Sequence, residues 1–426
     1  MVILACFLVL LVLICINVPI AIALAISAIV GLITTEGTDS LVSVALDMYS
    51  GSTSFSLIAI PMFVLAGALM NAGGVTDRLI NFVSSLVGFV RGGLAMVNIG
   101  VSLFFAEISG SAVADVAALG SVLIPQMKKR GYSAPLAAAV TSSAASLAII
   151  IPPSIPMIVY ATTANTSVEQ LFVAGVIPGL IGAAGLMVVA YWFAVRYDLP
   201  VEEAFSTARL RRAFVDALPA FTLPIVILGG IFGGWVTATE AAGLAVIAAL
   251  AVGLYYREFN FRHLKRAMLD GGMQTAVVMF LVAASVLMGG FLTRAQVPQQ
   301  IAQSILALTT DKYLILAILN IFFLIIGFFL HSVAAIILVI PIVLPLIQAA
   351  QIDPVHFGLV VTLNLAIGQQ TPPVASVLIT ACAIARANIW DVTKVNIYFI
   401  AVLLFVLILC TYVPVIPMFL VEYFYR

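Results

Sequence analysis

At 426 residues, 64% hydrophobic and only 8% charged, the sequence lacks the composition of a water-soluble protein. A soluble surface needs more charge, so a mean hydropathy of +1.24 excludes a soluble domain and predicts a chain that crosses the membrane many times. The net charge is zero and no basic patch is present, which excludes a nucleic-acid-binding protein. The four cysteines lie in apolar segments without metal-ligand spacing, and we expect buried thiols.

The first apolar stretch, residues 2–33, is longer than the roughly 20 residues that cross a bilayer core. We expect one long retained span, tilted or bent near Asn17 and Pro19. Two short spans are the weaker alternative, because each would have only about 15 residues. The loop 34–54 follows, with acidic residues and no Lys or Arg, as expected of an outer loop.

A polar turn at 107–112 interrupts the next long apolar stretch, between Arg91 and Lys128. Both flanks carry basic residues and each arm would have only about 15–17 residues, so the pattern favours a re-entrant hairpin, about 92–127, over two ordinary spans. A helix of about 133–164 follows, broken at its middle by Pro152 and Pro153, and then a span of about 171–195. Carbonyls freed at membrane depth are tolerated only where protein buries them or where they line a cavity.

The same pattern occurs a second time. Pro372 and Pro373 follow Pro152 and Pro153 at an offset of 220 residues (372 − 152), within matching hydropathy. The second copy predicts a hairpin of about 313–348 with its tip near 328–332, a broken helix of about 354–386 and a C-terminal span. A shared proline register is not explained by biased composition alone. We therefore expect a duplicated chain, with halves 1–212 and 213–426.

The basic residues indicate the orientation of the two halves. When their clusters all face the cytoplasm, only Arg294, Lys312 and Arg426 of the 18 basic residues lie outside. The N-terminus is then cytoplasmic, the C-terminus is periplasmic, and the two broken helices enter the membrane from opposite sides. We expect an all-α integral membrane protein of two inverted repeats, as in secondary transporters that bind their substrate at the repeat interface. No soluble domain interrupts the chain, which excludes an appended ATPase.

The chemistry at the tips and breaks suggests two ion sites with a substrate between them. Freed carbonyls and hydroxyls are hard oxygen ligands for a small cation, while the N-termini of half-helices favour an anion. A simple proline kink would explain one break, but not two beside polar hairpin tips. The polar residues available are Ser109, Ser111 and Ser154 in the first half and Asn364, Gln369, Gln370 and Thr371 in the second.

Isolated ionisable residues near the tips have two interpretations each. Glu107 is either a proton or cation partner or a residue of a watery vestibule, and Asp115 is expected to orient the hairpin backbone. His331 either donates to an anionic substrate or only caps the hairpin. Glu240, at the start of a span, has the position of an N-terminal capping acid.

Four motifs, in this order, resemble the large membrane subunit of tripartite ATP-independent periplasmic (TRAP) transporters: SGSAVAD (109–115), IIPPSIP (150–156), TATEAA (237–242) and GQQTPP (368–373). The resemblance covers essentially the whole chain. It implies an elevator-type fold of the bacterial inner membrane, in which a scaffold holds a domain that carries sodium ions and a small organic anion. It also implies two partners, a small four-helix membrane subunit and a soluble periplasmic substrate-binding protein. It implies sodium as the coupling ion, and it implies no cofactor and no enzymatic activity.

Carried over by position, the resemblance implies three sets of site residues. The first sodium site would comprise Ser109, Gly110, Ser111, Ile151, Pro152 and Ser154. The second sodium site would comprise His331, Ser332, Gly368, Gln370, Thr371 and Pro372. The substrate would contact Ser111, Ser154, Asn364, Thr371, Pro373 and His331.

The sequence departs from the family pattern at three positions. His331 stands where an acidic residue is usual, Glu107 where a neutral one is common, and Ala238 where proline is frequent. The first two change the charge balance expected at the site, which is consistent with an unusual substrate or sodium stoichiometry.

Three other functions are weighed against sodium-coupled, binding-protein-dependent uptake of an organic acid. A stand-alone anion symporter would have the same architecture and need no binding protein. An intramembrane hydrolase would use Ser109 or Ser111 with His331, but no triad or metal spacing supports it. A channel fits poorly, because two tips that meet at one closed site suit alternating access. A dicarboxylate, a sugar acid and a sulfonate are all compatible substrates.

Overall fold

The computed structural model describes residues 2–16, 18–201 and 204–425. The side chains of Leu4, Cys15, Glu107, Ile108, Ser109 and His263 lie outside that description. Apart from one isolated bridge between Arg91 and Val201, the regular elements of the described residues are all helices. The predicted all-α fold is therefore confirmed. Eight helices in this part of the chain are long and apolar enough to cross a membrane.

The helices are numbered in chain order. Those up to residue 196 are α1 (Val2–Cys15), α2 (Ile20–Glu36), α3 (Leu41–Ser52), α4 (Ala59–Ala72), α5 (Val75–Val87), α6 (Gly93–Ser109), α7 (Ala112–Lys129), α8 (Ala134–Ala145), α9 (Ile155–Ala164) and α10 (Val168–Arg196). The later ones are α11 (Thr207–Pro224), α12 (Gly230–Phe232), α13 (Ala238–Tyr255), α14 (Phe261–Arg294), α15 (Val297–Leu308), α16 (Lys312–Phe329), α17 (Ser332–Ala349), α18 (Pro354–Gly368), α19 (Ser376–Ala385), α20 (Ile389–Tyr412) and α21 (Val415–Tyr425). Short 3₁₀ turns at Thr38–Ser40, Phe55–Ile58 and Ser146–Ile149 and a π turn at Ile225–Gly229 adjoin them.

The helices pack as two groups. The first, which we call the scaffold, consists of α1–α4 and α11–α14, in which α4 packs on α13 and α14, and α14 packs on α2 and α3. The second, which we call the hairpin body, consists of α6–α10 and α16–α20. In it α8 packs on α7, α19 and α20, α9 packs on α17, and α16 packs on α18. The three described cysteine side chains are free and buried, as expected.

Two short helices, α5 and α15, connect the scaffold to the hairpin body. In α5 the buried residues Val75, Leu79, Ile80 and Val83 recur at helical spacing, which gives the helix one apolar face. That face packs on α6 and α11. The series α4–α10 and α14–α20 have the same order: a scaffold helix, a short connecting helix, a pair joined by a tight turn, a broken helix and a long helix.

Three elements differ from the expectations. The expectation of one long span over residues 2–33 is wrong, because α1 ends at Cys15, Pro19 starts α2, and the two helices pack against each other. The expected outer loop 34–54 contains α3, which packs on α14. Near the C-terminus Pro414 separates α20 from α21.

The second hairpin is also less compact than the first. Its arms α16 and α17 have 18 residues each, which is long enough for a span, and they make few contacts with each other. Instead α17 packs on α9, α14 and α15. Helix α7 of the first hairpin also has 18 residues, so the second arm is longer than the expected 15–17 residues in both copies.

Candidate ion and substrate site

The first break lies between the 3₁₀ turn that ends at Ile149 and the start of α9 at Ile155. Pro152 and Pro153 have no N–H groups, so the helical ladder cannot continue through them. Ser154 is extended (φ −120°, ψ 123°), and its Oγ donates to the Ile149 carbonyl at 2.8 Å. All of this segment is buried within the protein, which is the setting that an interrupted backbone at membrane depth requires.

The first hairpin tip lies directly against this break. Gly110 has φ +58° and ends α6, and Ser111, half-buried, precedes α7. A Cβ placed on Gly110 would lie 3.0 Å from the Pro153 carbonyl oxygen and 3.1 Å from the Ile155 nitrogen. The backbones of tip and break are therefore in contact, and only glycine fits both the space and the left-handed conformation. The side chain of Ser109 lies outside the described residues.

The second break has the same relation to the second tip. Helix α18 ends at Gly368 and α19 begins at Ser376. The Val374 N–H donates to the Phe328 carbonyl at 3.3 Å. A Cβ on Gly368 would lie 2.5 Å from the Cα of Gly327. The structure thus brings each predicted tip onto its predicted break.

Gln370, in the second break, belongs to a buried polar cluster with Ser143 of α8 and Asn396 of α20. The Ser143 Oγ lies 2.7 Å from the Gln370 side-chain amide and 2.8 Å from Asn396 Oδ1. The Gln370 Nε2 is buried without a partner among the described residues. Sequence reasoning missed Ser143 and Asn396, since nothing in their local sequence points to Gln370.

Asn396 also constrains the Gln370 amide, because its Nδ2 donates at 3.4 Å to the Gln370 side-chain oxygen and to the Gln370 carbonyl. A serine hydroxyl has one hydrogen, so Ser143 cannot donate to two amide oxygens. The hydroxyl therefore donates to one of them, the Gln370 Oε1 or the Asn396 Oδ1. The unpartnered buried atom is the Gln370 Nε2, which is a donor.

Asn364 offers a buried oxygen one turn before the break. Its Nδ2 donates to Asn320 Oδ1 at 2.7 Å and to the Val360 carbonyl at 2.8 Å. Its Oδ1 is buried and has no partner among the described residues. Asn320 in turn donates to Thr411 at 3.1 Å, which fixes the orientation of the pair. The sequence predicted that Asn364 contacts the anionic substrate. An oxygen acceptor with no donor beside it is better suited to binding a cation.

The other predicted site residues differ in their accessibility. His331 and Pro373 are exposed, and Thr371 is half-buried with its Oγ1 donating to the Ile367 carbonyl at 3.0 Å. Ser332 is buried as the first residue of α17. The hydroxyl hydrogen of Ser154 already bonds Ile149, so that side chain has only acceptor capacity left.

Two cavities lie where the hairpin body meets the scaffold. One, of about 400 Å³, lies between α3, α9, α14 and α17, and we call it the α9–α17 cavity. The other, of about 530 Å³, lies between α4, α5, α7 and α14, and we call it the α5–α7 cavity. Each is therefore walled by the second arm of a different hairpin. The described residues contain no group of three or more His, Cys, Asp or Glu side chains placed to hold a metal ion.

Comparison with known proteins identifies the family. Residues 7–416 match the family described as tripartite ATP-independent periplasmic transporter, DctM component. The chain belongs to this family. As a DctM component it is a multi-pass membrane permease of a tripartite transporter and not an enzyme, so the hydrolase hypothesis for Ser109, Ser111 and His331 is excluded.

Several relatives of this DctM component have descriptive names. It is 40% identical over 95% of its length to the isethionate TRAP transporter permease protein DctMQ of Oleidesulfovibrio alaskensis, of which it spans 64%. It is 38% identical to the C4-dicarboxylate TRAP transporter large permease protein DctM of Pseudomonas aeruginosa, over 89% of both chains. It is 34% identical to the sialic acid TRAP transporter large permease protein SiaM of Vibrio cholerae, over 95% of both.

The fold is also found in a solved structure. The crystal structure of the Alcanivorax borkumensis YdaH transporter superposes with a TM-score of 0.64 over 89% of both chains, at 14% sequence identity. This similarity shows that the DctM component has the fold of a known transporter.

The acid Glu240 is confirmed as a cap of α13, since it forms a capping box with Thr237.

Proposed function

We propose that this chain carries a small organic anion into the cell together with sodium ions, and that a periplasmic binding protein delivers the anion. A small membrane subunit would complete the tripartite assembly. The observation that carries the proposal is the contact of both hairpin tips with both broken helices, at Gly110 against Pro153 and at Phe328 against Val374. Interrupted backbone packed in this way supplies ligands at membrane depth.

The sodium ions would bind where tip and break meet. The first site would use Ser109, Gly110 and Ser111 with Ile151, Pro152 and Ser154, where the prolines interrupt the helical ladder. The second would use the second tip, His331 and Ser332, with Gly368, Gln370, Thr371 and Pro372. The buried oxygen of Asn364 supports the second site, because sodium, like other hard cations, prefers oxygen ligands.

The anion would bind between the two sodium sites. Four helices, α7, α9, α17 and α19, begin at the tips and breaks, so four positive helix ends lie in this region. Ser111, Ser154, Thr371, Pro373 and His331 are the residues we assign to the substrate. The Ser154 and Thr371 hydroxyls would have to turn away from the Ile149 and Ile367 carbonyls in order to donate to it. The relatives support an anionic substrate, because their names specify isethionate, C4-dicarboxylate, 2,3-diketo-L-gulonate and sialic acid, which are sulfonates or carboxylates.

Alternating access would result from movement of the hairpin body along the scaffold, with α5 and α15 as the connecting arms. The two cavities support this proposal, because each lies on the boundary between the groups and is walled by a different hairpin. The family supports a location in the bacterial inner membrane, and the positive-inside rule would place the C-terminus in the periplasm. If α1 and α2 both cross the membrane, the N-terminus lies in the periplasm as well.

Uptake by reconstituted protein tests the coupling. The chain, its small subunit and its binding protein would be placed in liposomes, and uptake of labelled isethionate and of succinate would be measured. We expect uptake that requires both an inward sodium gradient and the binding protein. Unchanged uptake without the gradient would refute sodium coupling, while unchanged uptake without the binding protein would establish a stand-alone symporter instead.

A disulfide across the boundary tests the movement. A Cβ on Gly289 of α14 would lie 3.9 Å from the Cβ of Pro341 of α17, within the range that a disulfide spans. We expect the double variant Gly289→Cys and Pro341→Cys to lose uptake on oxidation and to regain it on reduction. Gly185→Cys with Val402→Cys, at 3.7 Å inside the hairpin body, is the matched control. Equal uptake by both oxidised pairs would refute movement at this boundary.

A further inference from the structure

Helix α14 carries an arginine at the mouth of the α9–α17 cavity. Arg294, the last residue of α14, forms ion pairs with Asp47 and with Glu36, the latter at 3.5 Å, and donates to the Ser43 hydroxyl at 3.3 Å. All three charged side chains are partly exposed. Exposed ion pairs of this kind contribute little stability, so an incoming anion can replace the carboxylates on the guanidinium.

One face of α14 leads from this arginine into the cavity. Val282, Ser285, Val286, Gly289 and Gly290 recur at intervals of three and four residues and line the wall. A Cβ on Gly290 would lie 3.6 Å from the Arg294 Nη2, which places the guanidinium at this end of the cavity. Because neither glycine has a side chain, the path along α14 stays open.

A buried hydroxyl with no partner lies deeper along the same face. Ser285 is fully buried, lines the cavity, and its Oγ has no hydrogen-bond partner among the described residues. It lies nine residues before Arg294, about 13 Å along the helix axis. A helical serine without even a bond to its own preceding turn is available to donate to a ligand in the cavity.

We propose that the α9–α17 cavity is a loading channel for the transported anion, in which Arg294 first binds the charged group and Ser285 binds it further in. The ligand class is a small carboxylate or sulfonate, which the planar guanidinium can bind through two hydrogen bonds. Asp47 and Glu36 hold Arg294 in place while the channel is empty. This inference rests on the proposed transport of an organic anion, and it identifies an approach site separate from the tips and breaks.

Labelling of a cysteine at Ser285 tests the channel without knowledge of the natural substrate. The reagents are sulfonatoethyl methanethiosulfonate, itself a small organic sulfonate, and its cationic trimethylammonium counterpart. The measured quantity is the ratio of their labelling rates for Ser285→Cys in the membrane-embedded complex, with the unsubstituted chain as background. We expect Arg294→Gln to lower the anionic-to-cationic ratio about five-fold, because it removes the positive charge at the mouth.

Further variants separate the role of Arg294 from general charge or folding effects. Asp47→Asn releases the arginine and is expected to raise the anionic-to-cationic labelling ratio. Arg294→Lys keeps the positive charge and is expected to retain most of the original ratio. Lys312→Gln removes an exposed positive charge outside the cavity and is the matched control. A ratio unchanged by Arg294→Gln, or lowered equally by Lys312→Gln, overturns the proposal.

Uptake kinetics give an independent result. With labelled isethionate, we expect Arg294→Gln to raise KM about five-fold and to change kcat less than two-fold, since loading is affected and translocation is not. An equal fall in kcat with KM unchanged would overturn the loading role. Loss of sodium dependence in the unsubstituted chain would refute the proposed coupling, yet would leave the labelling result intact.

Discussion

Replacing Ser143 with alanine tests whether the polar cluster at the second break sets the sodium affinity. Ser143 lies on α8, 227 residues away from Gln370, and its Oγ is 2.7 Å from the Gln370 amide. Without this hydroxyl the amide loses one of the bonds that fix its orientation, and Asn396 Oδ1 loses a polar contact. The Gln370 side chain, which we assign to the second sodium site, would then be held in place only part of the time.

The size of the effect follows from the bonds that are lost. A buried polar group left without a partner costs about 1–3 kcal/mol, while polar contacts inside membrane proteins average about 0.6 kcal/mol and reach about 1.7 kcal/mol. Two polar groups are affected here, so we expect the free energy of sodium binding to weaken by about 1–2 kcal/mol. This corresponds to a rise of about 5–30-fold in the sodium concentration for half-maximal uptake.

The assay is uptake by proteoliposomes as a function of sodium, at a saturating concentration of the anion. Ser142→Ala is the matched control, because Ser142 is equally buried but donates only to the Ala139 carbonyl of its own helix, at 3.1 Å. We expect Ser142→Ala to shift the sodium dependence less than two-fold. If the two variants had the same sodium dependence, the hypothesis that Ser143 acts by orienting Gln370 would be refuted.

Three further predictions concern the second break. Gly368→Ala should abolish uptake in protein that still inserts, because its Cβ would lie 2.5 Å from the Gly327 Cα, whereas Gly243→Ala, with nothing within 4 Å, should leave uptake unchanged. Ala375→Gly should retain full uptake and Ala375→Val should lose it, since φ is +40° there. Asn364→Leu should raise the sodium requirement of uptake at least about ten-fold through loss of a buried oxygen.

Much of the architecture was predictable because proline acts locally. The helix breaks at Pro152 and Pro372 follow from the missing N–H group, whatever the tertiary context. The glycine at the first tip could likewise be assigned to a turn from its neighbours. Pro19 and Pro414 give the same signal, and the expectation of one unbroken span over residues 2–33 gave too little weight to the first of them.

The polar contacts inside the hairpin body could not be predicted in this way. Ser143 has no sequence feature that distinguishes it from Ser142, and the difference between them is the presence of α20 and the second break beside one hydroxyl. Similarly, the sequence around Ser285 predicts only a small residue within an apolar helix. Its significance depends on a cavity formed by α3, α9 and α17, which come from distant parts of the chain.

The contacts between distant segments bear on how both ion sites would move. Tyr160 donates to the Pro354 carbonyl at 2.7 Å across 194 residues, and Lys128 donates to the Ala385 carbonyl at 2.8 Å across 257 residues. Together with the Ser143–Gln370 contact, these bonds tie each broken helix to elements of the other half. Opening one site alone would break them, at about 1 kcal/mol each. Across the boundary with the scaffold, Gly289 and Pro341 make an apolar contact, and the Ala238 N–H donates to Glu169 at 3.2 Å. These bonds within the hairpin body support our proposal that it moves as one unit, which would carry both sodium sites and the anion together.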